Sequence, residues 1–393
     1  MKSSTILLAL AALAVACGDP TRTLTAPRAI EPPGARASVL NANDGVQVMH
    51  DLRSPRGLAF GPDGSLYVSE AGRGGPLAPG KCFVQFNATF CYGNTGAVSR
   101  LRDGEQERII DDLPSYAQVN SGQGEGPNGI SFHGNGNAYV AIGLEANPIT
   151  MRALVPDLAN MGRLVQIAPT TLAHGKGAAH SAHSPWEFVA DLAQYEIDVN
   201  PDCGDIDSNP FGILADAGGV MIMDAGANAI VRLGANGELS TVAAFRNNTT
   251  VPGPGCPEAG TRDFVPTAIT LGPDGAYYFG HLNGLPVLPG SSKVYRMERG
   301  GTPVEFLGNF TWIVALAFDP SGNLYVLQFT DSGQQNSGGA LYRIAPDGTR
   351  TKVVQGLQRA TGLAIDSDGA VYISMTQGQN YRAAGEVRKY VIP

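Results

Sequence analysis

Carboxylate and amide side chains recur where short apolar segments of this chain begin or end. Glu70 and Asp224 directly follow such segments, and Asn128 and Asn209 stand at or just before the start of others. Oxygen ligands of these two kinds are the ones that Ca²⁺ prefers. His281 also ends an apolar segment, and imidazole is a common metal ligand. We therefore treat these five residues as a candidate site for a metal or another ligand. We predict no catalytic residue.

The alternative interpretation of Asn128 and Asn209 is that they only shape local turns. Asn128 precedes a glycine and Asn209 precedes a proline, and asparagine in these contexts is often only a turn residue. The sequence also contains no GxSxG, HExxH or P-loop motif. Any hydrolytic chemistry would therefore have to use residues from separate segments.

A repeated segment provides the scaffold for these residues. Gly57–Ser69 reads GLAFGPDGSLYVS, which is a short apolar segment, a turn with Asp-Gly, and a second segment with Tyr and Val. This pattern is typical of a β-hairpin. The copies are Gly129–Ala141, Gly212–Met223, Ala268–Gly280, Ala315–Leu327 and Gly362–Ser374.

The spacing of the copies predicts an all-β fold, a six-bladed β-propeller of four-stranded blades spanning residues 43–393. The last two intervals between turn glycines are 47 residues, which suits one four-stranded blade. The last blade lacks a fourth strand at the C-terminus. Residues 46–52 align without a gap to residues 351–357, so we expect the N-terminal strand to complete that blade and remove an open sheet edge.

Long insertions are expected to lie on one face of the propeller, because the turns inside the repeated hairpins are all short. Loops concentrated on one end of a rigid scaffold commonly form binding sites. The residues expected at the mouth of the channel on this face are Arg56, Glu70, Asn128, Glu145, Asn209, Asp224, Thr267, His281, Gln328 and Thr361.

The N-terminus predicts export. Residues 1–16 combine a basic start, an apolar stretch too short to span a bilayer and a small-residue cleavage region, which indicates a signal peptide. The segment ending at Cys17 resembles a bacterial lipobox, which implies a lipidated cysteine; an ordinary signal peptide beside a free cysteine is the alternative. Residues 17–42 are expected to be a disordered tether. The protein is thus predicted in the bacterial cell envelope, as an outer-membrane lipoprotein or a periplasmic or extracellular protein.

The other four cysteines predict disulfides, because an even number of cysteines in an exported protein is normally paired. We expect Cys82 to pair with Cys91 and Cys203 to pair with Cys256. The formal net charge of −8 and the lack of long basic runs argue against nucleic acid as a partner.

Several longer strings resemble the ScyD/ScyE family of exported bacterial propellers, which is related to NHL and gluconolactonase-like repeats. These strings are Asp207–Gly212, Asp224–Asn228, Gly272–Tyr278, Gly280–Pro286, Gly339–Ile344 and Thr361–Ala364. The resemblance implies a propeller over residues 44–393 and no established reaction. Separately, residues 126–130 resemble the segment of gluconolactonase-type propellers that carries a metal-binding asparagine.

Two functions from different classes are consistent with these observations. The first is an exported, lipid-anchored, monomeric propeller that binds a small molecule, a glycan or an envelope protein through its loop-rich face, and whose membrane contact is only through its lipid. The second is a divalent-metal-dependent hydrolase or lyase of the lactonase kind, using Ca²⁺ held by Glu70, Asn128, Asn209 and Asp224. No cofactor other than possible Ca²⁺ is predicted.

Overall fold

The computed structural model describes residues 38–85, 87–174, 185–245, 263–334, 337–376, 381 and 384–393, which belong to one compact unit. Six separate sheets make up this unit. Each contains four antiparallel strands in order from the inner to the outer edge, and two of the sheets carry additional short strands. The predicted six-bladed β-propeller is confirmed.

Blades 1 to 6 follow chain order. Blade 1 contains strands Pro55–Phe60, Leu66–Glu70, Ala88–Arg102 and Glu105–Gln118. Blade 2 contains strands Pro127–Phe132, Ala138–Ile142, Arg163–Ile167 and Trp186–Asp191. Blade 3 contains strands Pro210–Asp216, Gly219–Asp224, Ala229–Leu233 and Leu239–Ala244. Blade 4 contains strands Pro266–Leu271, Tyr277–His281, Ser292–Met297 and Val304–Phe310. Blade 5 contains strands Ile313–Phe318, Leu324–Gln328, Gly339–Ile344 and Arg350–Leu357. Blade 6 contains strands Gly362–Ile365, Val371–Thr376, Gly385–Tyr390 and the N-terminal strand Val46–Leu52.

The remaining described elements are short. The extra strands are Leu40–Asn41, Cys82–Gln85 and Gly124–Glu125, the α-helices are Pro148–Leu154, Pro169–His174 and Leu192–Val199, and the 3₁₀ helices are Ala42–Asp44 and Pro156–Asn160. Among the described residues, no helix has the length and apolar character needed to cross a membrane.

The repeated Asp-Gly turn is a scaffold feature. Gly64 adopts a φ of +76°, a conformation that glycine adopts without strain, and the Gly61 amide donates to the Ser65 carbonyl at 2.9 Å. Asp63 accepts a hydrogen bond from the Tyr67 hydroxyl at 3.1 Å. The repeat preserves this contact, because Tyr278 donates to Asp274 at 3.1 Å. The turn aspartate therefore anchors the tyrosine of the following strand.

The glycine that begins most copies allows neighbouring inner strands to pack closely. A Cβ atom at Gly57 would lie 2.7 Å from the Asn128 carbonyl oxygen, and one at Gly129 would lie 2.5 Å from the Phe211 carbonyl oxygen. Neither distance can accommodate a side chain. The hydrophobic core lies between adjacent sheets; for example, Met223 of blade 3 packs in one cluster with Phe279 of blade 4.

The ring closes through the N-terminal strand, as the sequence predicts. Val46–Leu52 pairs antiparallel with Gly385–Tyr390 on the outside of blade 6. Met49 and Leu52 are both 0% exposed. The folded region begins before the predicted boundary at residue 43, because Leu40–Asn41 pairs in parallel with the outer strand of blade 5.

Blade 1 departs most from the predicted strands. The stretch after its repeated hairpin is one of the long insertions expected from the sequence, but strand Ala88–Arg102 begins within it and pairs with the similarly long Glu105–Gln118. The predicted disulfide between Cys82 and Cys91 is confirmed, and it joins two paired strands. Cys203 is also disulfide-bonded, while its predicted partner, Cys256, lies outside the described residues.

Candidate functional site

A cavity of about 640 Å³ lies at one end of the propeller axis. It shares Arg56, Phe211, Thr267, Val314 and Thr361 with a narrow channel of about 100 Å³ between the six inner strands. Much of its wall comes from the insertions that the sequence assigns to the loop-rich face. All six blades or their adjoining loops contribute lining residues.

The polar part of the cavity wall is centred on Glu125 and Asn209, and Asn128, which lines the narrow channel, lies against both. Asn128 Nδ2 donates to Glu125 Oε2 and to the Pro210 carbonyl, both at 3.1 Å. A Cβ atom added to Gly143 would lie 2.5 Å from both Asn209 Oδ1 and Glu125 Oε2. Glycine at this position therefore allows the asparagine and glutamate side chains to converge.

Arg56 balances part of the negative charge at this point. Its guanidinium lies 3.7 Å from Glu125 Oε1, and the two side chains are only 12% and 7% exposed. Arg56 also donates to the Gly124 carbonyl at 3.0 Å. The Glu125 carboxylate consequently has both a cationic neighbour and an amide donor.

Glu145 adds a second carboxyl group beside Glu125. Its φ of 53° is unusual for a residue other than glycine. The pKa of Glu145 is raised to about 8, because the surrounding protein desolvates the carboxylate and because Glu125 repels it. The shift favours the protonated form of Glu145, which can donate a hydrogen bond or a proton into the cavity, where its side chain is accessible.

Aromatic side chains line another part of the cavity. Trp312 and Phe329 lie with their ring centroids 6.2 Å apart, and the Trp312 indole donates to the Asn283 carbonyl at 2.9 Å. The guanidinium of Arg359 lies 4.9 Å from the ring centroid of Tyr381. These groups provide an apolar surface on which the flat face of a ligand can stack.

The wall from blades 3 and 4 is acidic. Asp205, Asp207 and Asp263 line it together with Asn228. Desolvation raises the pKa of Asp207 to about 6, and repulsion by nearby aspartates adds to the shift. The cavity thus combines an aromatic surface with an excess of acidic groups.

The structure brings Asn128 and Asn209 together at the site, but it places Glu70 elsewhere. Glu70 is 0% exposed, and its oxygens accept hydrogen bonds from Arg108 Nη2 at 2.8 Å, Ser99 Oγ at 2.6 Å and the Arg53 amide at 2.6 Å. The residue therefore holds strands of blade 1 together, and it does not line the cavity.

Asp224 also has a structural role. It is 1% exposed and accepts hydrogen bonds from Ser208 Oγ at 2.8 Å, the Asn209 amide at 2.6 Å and the Ala227 amide at 3.2 Å. Gln328 makes the equivalent contact in blade 5, where it accepts from the Thr311 amide at 2.8 Å. In blades 1, 3 and 5, the last residue of the second strand thus accepts a hydrogen bond from a main-chain amide just before the inner strand of the same blade.

His281 is fully engaged within blade 4. Its Nε2 accepts from the Lys293 amide at 3.1 Å, and its Nδ1 donates to the Leu282 carbonyl at 2.5 Å. Burial lowers the pKa of His281 to about 4, so the ring is neutral, and it stacks on Phe264 with the centroids 4.1 Å apart. Neither ring nitrogen is available to a metal.

The predicted Ca²⁺ site therefore does not fit the geometry. Two of its four proposed ligands, Glu70 and Asp224, are already engaged in hydrogen bonds within their own blades. Arg56 beside Glu125 also supplies positive charge where a cation would sit. Among the described residues, no three acidic, histidine or cysteine side chains form a group that could hold a metal by themselves. Asn128 Oδ1, which is buried without a partner, is the single feature of the set that favours a cation.

Glu70→Ala is expected to lower the free energy of unfolding by about 3–5 kcal/mol, because it leaves the guanidinium of Arg108 without its buried partner. The urea midpoint measures this change. Glu187→Gln, which alters an exposed glutamate, should have little effect. A Glu70→Ala variant of unchanged stability would contradict the structural role.

Glu125 and the aromatic residues of the cavity are not predicted from the sequence. Glu125 directly precedes the Gly-Pro-Asn string that contains Asn128, so its position is the one signal that could have identified it. Trp312 also lines the cavity. Nothing in the local sequence pattern identifies Phe329, Arg359 or Tyr381 as neighbours of the site.

Comparisons with known proteins give structural matches alone. No protein-family model matches the chain, and no curated protein matches its sequence. The calcium-binding protein regucalcin from Agrobacterium tumefaciens is 13% identical, with 91% of this chain and 96% of that chain covered and a TM-score of 0.50.

Two further matches are more distant in structure. A gluconolactonase from Xanthomonas campestris is 10% identical over 88% of this chain and 89% of that chain, with a TM-score of 0.47. A virginiamycin B lyase from Staphylococcus aureus, solved with quinupristin, is 15% identical over 88% of this chain and 98% of that chain, with a TM-score of 0.43. At these identities the similarity concerns the fold: the solved proteins that the chain resembles include gluconolactonase-like β-propellers.

Proposed function

We propose that this chain is an exported, lipid-anchored β-propeller that binds a small molecule or a short glycan in the cavity on its loop-rich face. The observation that carries this proposal is the cavity of about 640 Å³, to which all six blades contribute. Small-molecule sites have volumes of about 300–1,000 Å³. A concave site of this size suits a small ligand better than the flat surface of an envelope protein.

The lining indicates the chemistry of the ligand. Carboxyl and amide groups of Glu125, Glu145 and Asn209 can bind hydroxyl or amine groups, while Trp312 and Phe329 can stack on a ring. The excess of acidic groups disfavours an anionic ligand. We therefore expect a neutral polyhydroxylated or a cationic molecule that has a flat or apolar face.

Export, lipidation at Cys17 and membership of the ScyD/ScyE family belong to the same proposal. The disulfide between Cys82 and Cys91 supports an oxidising compartment, while the predicted signal peptide and Cys17 lie outside the described residues. A monomer that does not bind nucleic acid is consistent with the net charge of −8.

Tryptophan fluorescence offers a direct test, because the chain contains only two tryptophans. Trp312 lines the cavity, whereas Trp186 packs against Phe188 in the outer strand of blade 2. In Trp186→Phe, a ligand from a panel of sugars, lactones and amines should change the emission of Trp312. In Trp312→Phe the same ligand should leave the remaining emission unchanged. Equal responses of the two variants would contradict binding in the cavity.

A hydrolase or lyase is the second candidate, and the pairing of Glu145 with Glu125 favours it. A carboxylic acid with a raised pKa, as Glu145 has beside Glu125, can act as a general acid. If this function holds, Glu145→Gln should abolish turnover of a lactone substrate while ligand-induced fluorescence changes persist. Turnover retained by Glu145→Gln would exclude this role of Glu145.

A further inference from the structure

We infer that a group of buried oxygen atoms behind the acidic wall binds one divalent cation, most suitably Ca²⁺. The group, called here the buried acidic cluster, consists of Glu196, Asp202, Asp207 and Asn228. It is separate from the Asn128 region, and it joins the loop after blade 2 to the turn that follows the second strand of blade 3.

The carboxylate of Glu196 is the strongest evidence that this cluster binds a cation. The residue lies on helix Leu192–Val199 and is 1% exposed. Neither of its carboxylate oxygens makes a hydrogen bond of normal geometry, although the main-chain amide of Asp207 is close enough to lower its pKa. A buried carboxylate is strongly unfavourable unless a cation or hydrogen-bond donors compensate it.

The neighbouring residues present further unused acceptors. Asn228 is 2% exposed; its Nδ2 donates to Asp202 Oδ2 at 3.0 Å, while its Oδ1 is buried without a partner. Asp207 Oδ1 and Asn200 Oδ1 are likewise buried without partners. All these unsatisfied atoms are oxygens, so the site requires a donor or a cation and not another acceptor.

The charge of the surroundings supports the same conclusion. The charged groups that act on Glu196 and Asp202 are other acidic residues, among them Asp224, Asp205 and Asp263. A divalent cation would neutralise the repulsion between them.

The chemistry of the donors favours Ca²⁺ over transition metals. The cluster offers carboxylate and amide oxygens, which are hard ligands, and Cys203 nearby in sequence is disulfide-bonded. Acidic side chains alone do not form a metal-holding group among the described residues. Amide and main-chain oxygens must therefore complete the shell, and Asn228 and Asn200 supply two unused ones. Calcium accepts six to eight ligands of these mixed kinds.

Such an ion would act on the cavity as well. Asp207 and Asn228 line the acidic wall, so an ion held behind them would fix the orientation of both side chains. This role is a structural one, and it does not depend on whether the cavity binds a ligand or catalyses a reaction.

Calorimetric titration of Ca²⁺ into the chelator-treated full chain tests the inference, with thermal melts as a second readout. We expect one bound ion and a Ca²⁺-dependent rise in Tm. Glu196→Gln should weaken Ca²⁺ binding at least about tenfold, whereas Asn128→Ala and the exposed control Glu187→Gln should bind normally.

Three results would overturn the inference. They are the absence of Ca²⁺ binding and of any Tm shift in the wild type, Ca²⁺ binding that Glu196→Gln leaves unchanged, and binding that is lost only in Asn128→Ala. The last result would place the ion at the asparagines of the cavity. Because Glu196→Gln replaces a buried carboxyl group with an uncharged group of similar size, the variant should fold, and its melt without Ca²⁺ checks this.

Discussion

Deleting residues 43–52 is expected to abolish soluble, monomeric folding. The deletion removes the strand Val46–Leu52, so Gly385–Tyr390 becomes an open sheet edge that can pair with another chain. It also removes the fully buried Met49 and Leu52. Burial of these two side chains alone contributes about 3–6 kcal/mol, a large part of the stability of an ordinary domain.

Size-exclusion chromatography and urea unfolding measure the effect. Deleting ten residues in the predicted tether, 23–32, is the matched control and should leave a monomer that unfolds cooperatively. A point variant separates burial from chain length: Met49→Asp should be strongly destabilising, and Val46→Asp, at a position that is 68% exposed, should not. A cooperative monomer without residues 43–52 would show that the ring does not need this strand.

In chelator, the protein is expected to lose stability as the pH rises from about 6 to 8.5. The folded-state pKa values of Glu196 and Glu145 are about 9 and about 8, whereas glutamate in an unfolded chain titrates near 4.3. Between these values the folded state binds more protons than the unfolded state. The free energy of unfolding therefore falls as the pH rises, by up to about 1.4 kcal/mol per pH unit for Glu196, which is 1% exposed. The contribution of Glu145 is smaller, because its side chain is exposed to solvent in the cavity.

Denaturant unfolding at several pH values checks this slope. Glu196→Gln should remove most of the slope and should make the metal-free protein more stable than the wild type at pH 8. Adding Glu145→Gln should remove most of the rest. Saturating Ca²⁺ should reduce the slope in the wild type, because the ion competes with the proton. A slope that Glu196→Gln leaves unchanged would show that Glu196 titrates normally.

The fold could be predicted because similar local chemistry, two apolar strands joined by a short turn that contains glycine, recurs in all six blades. Gly64 and Asp63 define a turn that needs no distant contact, and the alternating apolar residues around it define two strands. The long hairpin Ala88–Gln118 was not predicted in full. Its first half is rich in Gly, Asn and Thr, so tertiary pairing, and not propensity, decides its structure.

Only part of the site could be predicted, because strand order does not fix the direction in which a side chain points. Strand order placed Glu70 and Asn128 at the same end of the propeller. The order does not reveal that the Glu70 side chain turns towards Arg108 and the Arg53 amide, because successive strand residues face opposite sides. Glu145 was expected at the mouth, but its raised pKa depends on Glu125, which belongs to a different blade connection.

The participation of all six blades in the cavity wall has a thermodynamic consequence. Any molecule that contacts opposite walls, for example Arg56 of blade 1 and Thr267 of blade 4, binds the closed ring better than an opened one. Bound ligand then adds to the stability of the closure itself. Ligand binding and attachment of the N-terminal strand are therefore coupled: the ligand favours the closed ring, and opening the ring weakens ligand binding by the same coupling free energy.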